Sequence, residues 1–142
     1  MVRILVAEDS PAMRTYVRAA LEGAPELGDD VEIVEAGSGF EALRLLPRSS
    51  YDLIITDINM PDINGLELIR FVRGSAHHRG VAVLIISTQS SERDRARGLA
   101  LGADAFLAKP FTAEGLREAA VQSLAARRDG AAGAAATGGE SA

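Results

Sequence analysis

Glu8, Asp9, Asp57, Ser87, Thr88 and Lys109 are residues of the kinds that handle phosphoryl groups and hard cations, and each stands just past an apolar run. The runs are 2–7, 53–56, 81–86 and 105–108, and Lys109 is followed by Pro110. Continuous apolar runs of this length, separated by helical stretches, read as buried strands of a parallel sheet. In an open α/β sheet, ligands bind just outside the carboxyl ends of the strands. Three acids, hydroxyls and a lysine are therefore expected at one sheet edge, where they suit a divalent cation beside a phosphoryl group. Glu8, Asp9 and Asp57 would repel one another if unpaired, and their pKa values would rise. A hard cation resolves this, and Mg²⁺ takes one or two carboxylates together with waters and phosphate oxygens. The metal would neutralise charge while a carboxylate oxygen attacks phosphorus. Ser87 could donate to the transferred group and Lys109 could pair with it.

Each residue has a plainer reading. Glu8-Asp9 fits an acid pair at a helix start, favoured by the macrodipole. Asp57 fits a turn-initiating aspartate. Complementary groups at four strand ends together are the stronger argument. Lys109 adds to it, being the one lysine among 15 basic residues. A compact ammonium acts as a point charge on an oxygen where a guanidinium fork is too wide.

The alternation that must position these groups is regular. Strands are expected at 2–7, 31–36, 52–56, 81–87 and 104–108. Helices are expected from Pro11, capped by Ser10, to about 22; from a Ser38/Glu41 capping box to about 47; from about 66 to 73; over 91–101; and from a Thr112 cap to about 128. Five βα units predict a doubly wound sheet with helices on both faces. Residues 129–142, rich in Gly and Ala, are expected to form a disordered tail after a single domain spanning 1–128. With 47% hydrophobic residues, 25% charged and no cysteine in 142 positions, a packed core is predicted and disulfides or thiolate metal sites are excluded. No apolar run approaches the ~20 residues of a membrane span and no secretory pattern opens the chain, so a soluble cytoplasmic protein is expected. A net charge of −5 argues against nucleic acid as a partner.

The acid pair in ILVAEDS, Asp57 in DLIITDINMPDING, Ser87 in VLIIST and Lys109 in AFLAKPF resemble the phosphoacceptor receiver domain of two-component response regulators, most closely the stand-alone chemotaxis type. The resemblance covers residues 2 to 128. It implies a flavodoxin-like sheet of order 2-1-3-4-5 and a signalling protein rather than an enzyme. It also implies phosphorylation of Asp57 by a histidine kinase. Mg²⁺ would be held by Asp9, Asp57 and the Asn59 backbone carbonyl, with Glu8 acting through water. Ser87 and Phe106 would form the switch pair, Lys109 would bridge Asp57 and the phosphoryl group, and the bond before Pro110 would be cis. A downstream protein would dock on the face made by helix 91–101, strand 104–108 and helix 112–128. Phe106 stands where chemotaxis members commonly carry tyrosine, and Ser87 where threonine is commoner.

Other readings are available. GSGFEA at 37–42 follows a strand and opens a helix, with Asp57 about twenty residues on, which fits a nicotinamide-dinucleotide fingerprint. The plainer reading makes Gly37 and Gly39 the turn into a capped helix. An aspartyl-phosphate phosphatase would need a second Asp where Asn59 stands. A phosphorylation-independent interaction module would not need the acid, hydroxyl and lysine set. His77-His78 reads as a solvated loop. Gly98, in the middle of the fourth helix, costs about 1 kcal/mol against Ala and marks that helix as a movable element.

Overall fold

In the computed structural model, residues 1–88 and 92–137 are described, with side chains as far as 127. Among the described residues, strands β1 (Val2–Ala7), β2 (Val31–Ala36), β3 (Leu53–Asp57), β4 (Ala82–Ser87) and β5 (Ala105–Ala108) alternate with helices. The helices are α1 (Pro11–Glu22), α2 (Gly39–Leu45), α3 (Gly65–Gly74), α4 (Glu92–Ala100) and α5 (Ala113–Thr137). Short 3-10 turns at Pro25–Leu27 and Leu46–Arg48 were not expected from the sequence. The five strands form one parallel sheet of order 2-1-3-4-5, as expected.

Local chemistry accounts for the helix starts. Ser10 Oγ accepts from the Met13 N–H at 3.2 Å, and Pro11 opens α1. Ser38 Oγ accepts from the Glu41 N–H at 3.1 Å. The other half of the expected capping box is missing there, because the Glu41 carboxylate accepts from the Gly37 N–H at 2.5 Å instead. A complete box stands at α3, where Asn64 and Glu67 satisfy each other's N–H groups at 2.9 and 3.1 Å. Thr112 caps α5 through the Gly115 N–H at 2.9 Å.

Several element ends differ from expectation by a residue or two, and the end of α5 by more. β3 is shifted by one residue to include Asp57, β4 starts at Ala82, and β5 starts at Ala105. The expected start of α4 at Ser91 lies outside the described residues. α5 continues to Thr137, past the expected end near 128. Alanines at 131, 132 and 134–136 favour helix intrinsically against Gly130 and Gly133. Residues 138–142 of the expected tail are outside the described residues.

Successive strand residues face opposite sides of a sheet. Ile4, Val6, Leu53, Ile55, Ala82, Leu84 and Ile86 pack with α1 and α5 residues such as Val17, Leu21, Leu116 and Ala120. Leu5, Ala7, Ile54, Val83 and Ile85 pack with Ala42 of α2 and Leu66, Ile69 and Val72 of α3. This parity decides which strand-end residues can meet.

Candidate phosphoacceptor and metal site

The register aligns the carboxyl ends of the strands. Ala7 pairs with Thr56, Asp57 with Ile86, and Ser87 with Ala108. Glu8, Asp57 and Lys109 therefore emerge next to one another, and all three continue the parity that faces α1 and α5. Ser87 and Phe106 have the opposite parity. Phe106, beside Ile85 in the register, packs half-buried against the α2–α3 core.

The geometry follows from that placement. Lys109 Nζ donates to Glu8 Oε1 at 2.6 Å and to Asp57 Oδ2 at 2.8 Å. Glu8 Oε2 accepts from the Ser10 N–H at 2.9 Å, and Asp57 Oδ1 from the Asn59 N–H at 3.2 Å. The Glu8 side chain is 1% exposed and that of Asp57 8%, whereas Asp9 is open to solvent. Each of the three acids offers a carboxylate oxygen within 4.8 Å of the others'. The Arg14 guanidinium donates to the Glu8 carbonyl at 2.6 Å and to Glu35 at 3.1 Å, fixing the chain where β1 ends.

The expected repulsion among the acids is thus partly relieved by Lys109. Burial still pushes the Glu8 carboxyl above the usual range, outweighing the opposing hydrogen bonds from Lys109 and Ser10. For Lys109 burial acts to lower the pKa, but hydrogen bonds to Asp57 and Glu8 prevail and raise it. The pair is asymmetric because the ammonium gains two acceptors while Glu8 gives up nearly all its water. This direct Glu8–Lys109 contact was not foreseen, since the expected role of Glu8 ran through water to the metal. It depends on strand parity and on a register between strands that no local motif carries.

The remaining expected residues are placed as follows. Ser87 is fully buried, and its carbonyl accepts from the Lys109 N–H at 2.9 Å. The Lys109–Pro110 bond is cis. Gly65 lies so close to β3 that a Cβ there would run into the Asp57 carbonyl and stand 3.1 Å from Ile58 Cα. An all-oxygen donor set with charge to spare fits Mg²⁺ better than a softer metal.

The rival motifs resolve differently. The first N–H groups of α2, at Gly39 and Phe40, donate to the Asp62 carboxylate, both at 3.0 Å. A pyrophosphate would need those groups, so GSGFEA is a packing motif. His77 and His78 stand 6.4 Å apart by ring centroid, on the loop between α3 and β4, at the sheet edge away from the acids. Among the described residues they belong to no group of three possible metal ligands. No described helix is long and apolar enough to cross a membrane.

A parallel 2-1-3-4-5 sheet with an acid cluster and a lysine at its carboxyl edge defines a receiver domain. The response regulator receiver domain family model matches residues 4–121, and the chain belongs to that family. It is 33% identical over 118 residues to a chemotaxis protein CheY homologue of Campylobacter jejuni, covering 82% of this chain and 88% of that one. It is 40% identical over 110 residues to the gliding motility regulatory protein of Myxococcus xanthus, covering 76% of this chain but 13% of that longer protein. Among solved structures, chemotaxis response regulator CheY4 of Vibrio cholerae aligns with a TM-score of 0.74 at 32% identity, over 83% of this chain and 94% of that one. A receiver domain of a histidine kinase from Syntrophus aciditrophicus aligns with a TM-score of 0.73 at 34% identity, over 88% and 91%. Phosphoryl acceptance with Mg²⁺ is general to this family.

Proposed function

We propose that Asp57 accepts a phosphoryl group from a histidine kinase and that the modification switches a docking surface for a downstream protein in the cytoplasm. The observation that carries this reading is the Lys109 ammonium shared between Asp57 and Glu8 beside a third carboxylate. An Asp57 carboxylate oxygen forms the new bond to phosphorus. The phosphorus–nitrogen bond of the donor phosphohistidine breaks, and its electron pair leaves with the imidazole. Asp9, Asp57 and the Asn59 carbonyl, with Glu8 through water, would hold Mg²⁺, which would neutralise the developing charge. Lys109 contributes a fixed positive charge at Asp57 Oδ2. The domain catalyses nothing beyond its own phosphorylation and dephosphorylation.

Phosphorylation turns a group of about −1 into one near −2 with added acceptor oxygens. The buried Ser87 hydroxyl is drawn toward it, and Phe106, on the same sheet face, turns inward to fill the space vacated. The output surface is the α4–β5–α5 face, over 91–101, 104–108 and 112–128. Driving such a switch from 1:99 to 99:1 needs ~5.5 kcal/mol of differential affinity, so partner binding completes the shift. The similarity to a chemotaxis protein and a gliding motility regulator favours a motility pathway, with a phosphorelay as the other setting.

Intact-mass measurement with Mg²⁺ and a phosphohistidine or small acyl-phosphate donor tests the assignment. Wild type gains one phosphoryl group and Asp57→Asn gains none. Ser87→Ala takes the phosphate, yet amide exchange around Phe106 stays unchanged. A phosphate on Asp57→Asn at the wild-type level would place the acceptor elsewhere.

A further inference from the structure

We propose that Asp62 is a positioning residue for the phosphoacceptor site: its carboxylate, clamped on the first turn of α2, holds the β3–α3 loop in the shape that presents Asn59. The inference rests on the proposed role of Asn59 as a carbonyl ligand. The loop runs from Asp57 to Gly65 and is tied in three places. At its start the Asn59 N–H donates to Asp57 Oδ1 at 3.2 Å. At its end the Gly65 N–H donates to the Ile58 carbonyl at 2.8 Å. Both ties are local to the loop and its flanking strand and helix ends, and neither anchors it to α2.

Asp62 supplies that anchor. Its Oδ1 accepts from the Gly39 N–H at 3.0 Å and from its neighbour Ile63 at 2.7 Å, and its Oδ2 accepts from Phe40 at 3.0 Å. These are the first two N–H groups of α2. Ser38 Oγ takes the third, from Glu41, and the Ser38 carbonyl accepts the first intrahelical bond, from Ala42 at 3.1 Å. The N–H groups of the first three helical residues, which have no intrahelical partner, are thereby all satisfied by side-chain oxygens. The fit is also steric. A Cβ on Gly39 would stand 2.5 Å from the Ile63 carbonyl oxygen and 2.7 Å from its Cβ. The glycine lets the loop backbone lie directly on α2, with Asp62 as the latch.

The test uses the full chain with Asp62→Ala, Asp62→Asn and Gly39→Ala. The readouts are Mg²⁺ titration, site-resolved amide exchange and phosphorylation rate. Displacing a group that orients a ligand weakens metal binding by about 10-fold or more. Asp62→Ala is expected to lose Mg²⁺ affinity on that scale, to expose the Gly39, Phe40 and Asn59 amides to exchange, and to phosphorylate more slowly. Asp62→Asn keeps one acceptor oxygen and falls between. Gly39→Ala, which lifts the loop with the carboxylate intact, reproduces the alanine phenotype. The proposal is overturned if Asp62→Ala frees the Gly39 and Phe40 amides but keeps wild-type Mg²⁺ affinity and Asn59 exchange. Asp62 would then be a cap for α2 and nothing more. Wild-type protein that binds Mg²⁺ yet takes no phosphate on Asp57 refutes the phosphoacceptor reading alone, because the affinity and exchange readouts still judge Asp62. Wild type without measurable Mg²⁺ affinity overturns both.

Discussion

Lys109 serves two carboxylates at once, and the less exposed of them, Glu8, depends on it more. The pH dependence follows from the two directions. The raised Glu8 pKa means the folded chain holds that proton more tightly than the unfolded chain does, so stability falls as pH rises through the folded value. The raised Lys109 pKa works at the alkaline end. Its contribution is complete below the ordinary lysine value and is lost as pH climbs through the raised one. Removing one partner of a buried ion pair costs about 3–5 kcal/mol because the other charge stays buried. Lys109→Met in metal-free buffer should lose stability on that scale at pH 8. The loss should shrink at pH 5, where Glu8 can protonate. Urea unfolding at the two pH values measures it, and an equal loss at both would clear Glu8 of responsibility.

At the scale of elements, glycines set how closely helices approach the sheet. Gly65 opens α3 against the backbone of Asp57 and Ile58, and Gly98 lets α4 settle on Ile85. The expected reading of Gly98 as a weak point in a movable helix thus gains a packing reason. Gly65→Ala decides between propensity and packing. Alanine would add about 1 kcal/mol of helix preference, but the obstructing atoms are main chain and cannot swing aside. Overpacking costs typically about 1–3 kcal/mol. A net destabilisation in urea, with weaker Mg²⁺ binding as the Asp57 carbonyl is displaced, is the expected result. A more stable variant would mean the approach is looser than the structure shows.

Across the whole molecule, two clusters of partly buried charge stand at opposite ends of the sheet. At the far end Arg73 donates to the Gly102 carbonyl at 2.6 Å and to Asp104 at 3.2 Å, and Arg127 reaches Asp104 at 3.1 Å. That cluster ties α3 and α5 to the turn that enters β5, and with two guanidiniums on one carboxylate it has no excess of acid. The carboxyl edge sets three acids against one ammonium, so it gains most from a cation. At 100 times its dissociation constant Mg²⁺ should add ~2.7 kcal/mol, which for a domain of this size is a melting shift of ~8 °C. Asp9→Asn should reduce the shift while stabilising the metal-free protein by removing a like charge. A melting curve indifferent to Mg²⁺ at high millimolar concentration would reject the acidic-pocket account.

The sequence by itself determined the alternation of elements, the strand ends where the acids and the lysine stand, and most of the helix caps. Those signals are local: apolar runs, Pro11 after Ser10, and Thr112 before α5. It also carried the family resemblance, because that resemblance lies in four short motifs. Element ends shifted by a residue or so, as at β3, because hydrogen bonds from neighbouring strands extend or trim a strand beyond its apolar run. The N-cap of α2 was legible in Ser38, but its first two partners were not, since Asp62 arrives from 23 and 22 residues away. The Glu8–Lys109 contact spans 101 residues. Such pairs exist only once parallel pairing has fixed the register and strand parity has chosen the face. No local pattern carries that information, so only the tertiary structure could decide which charges meet.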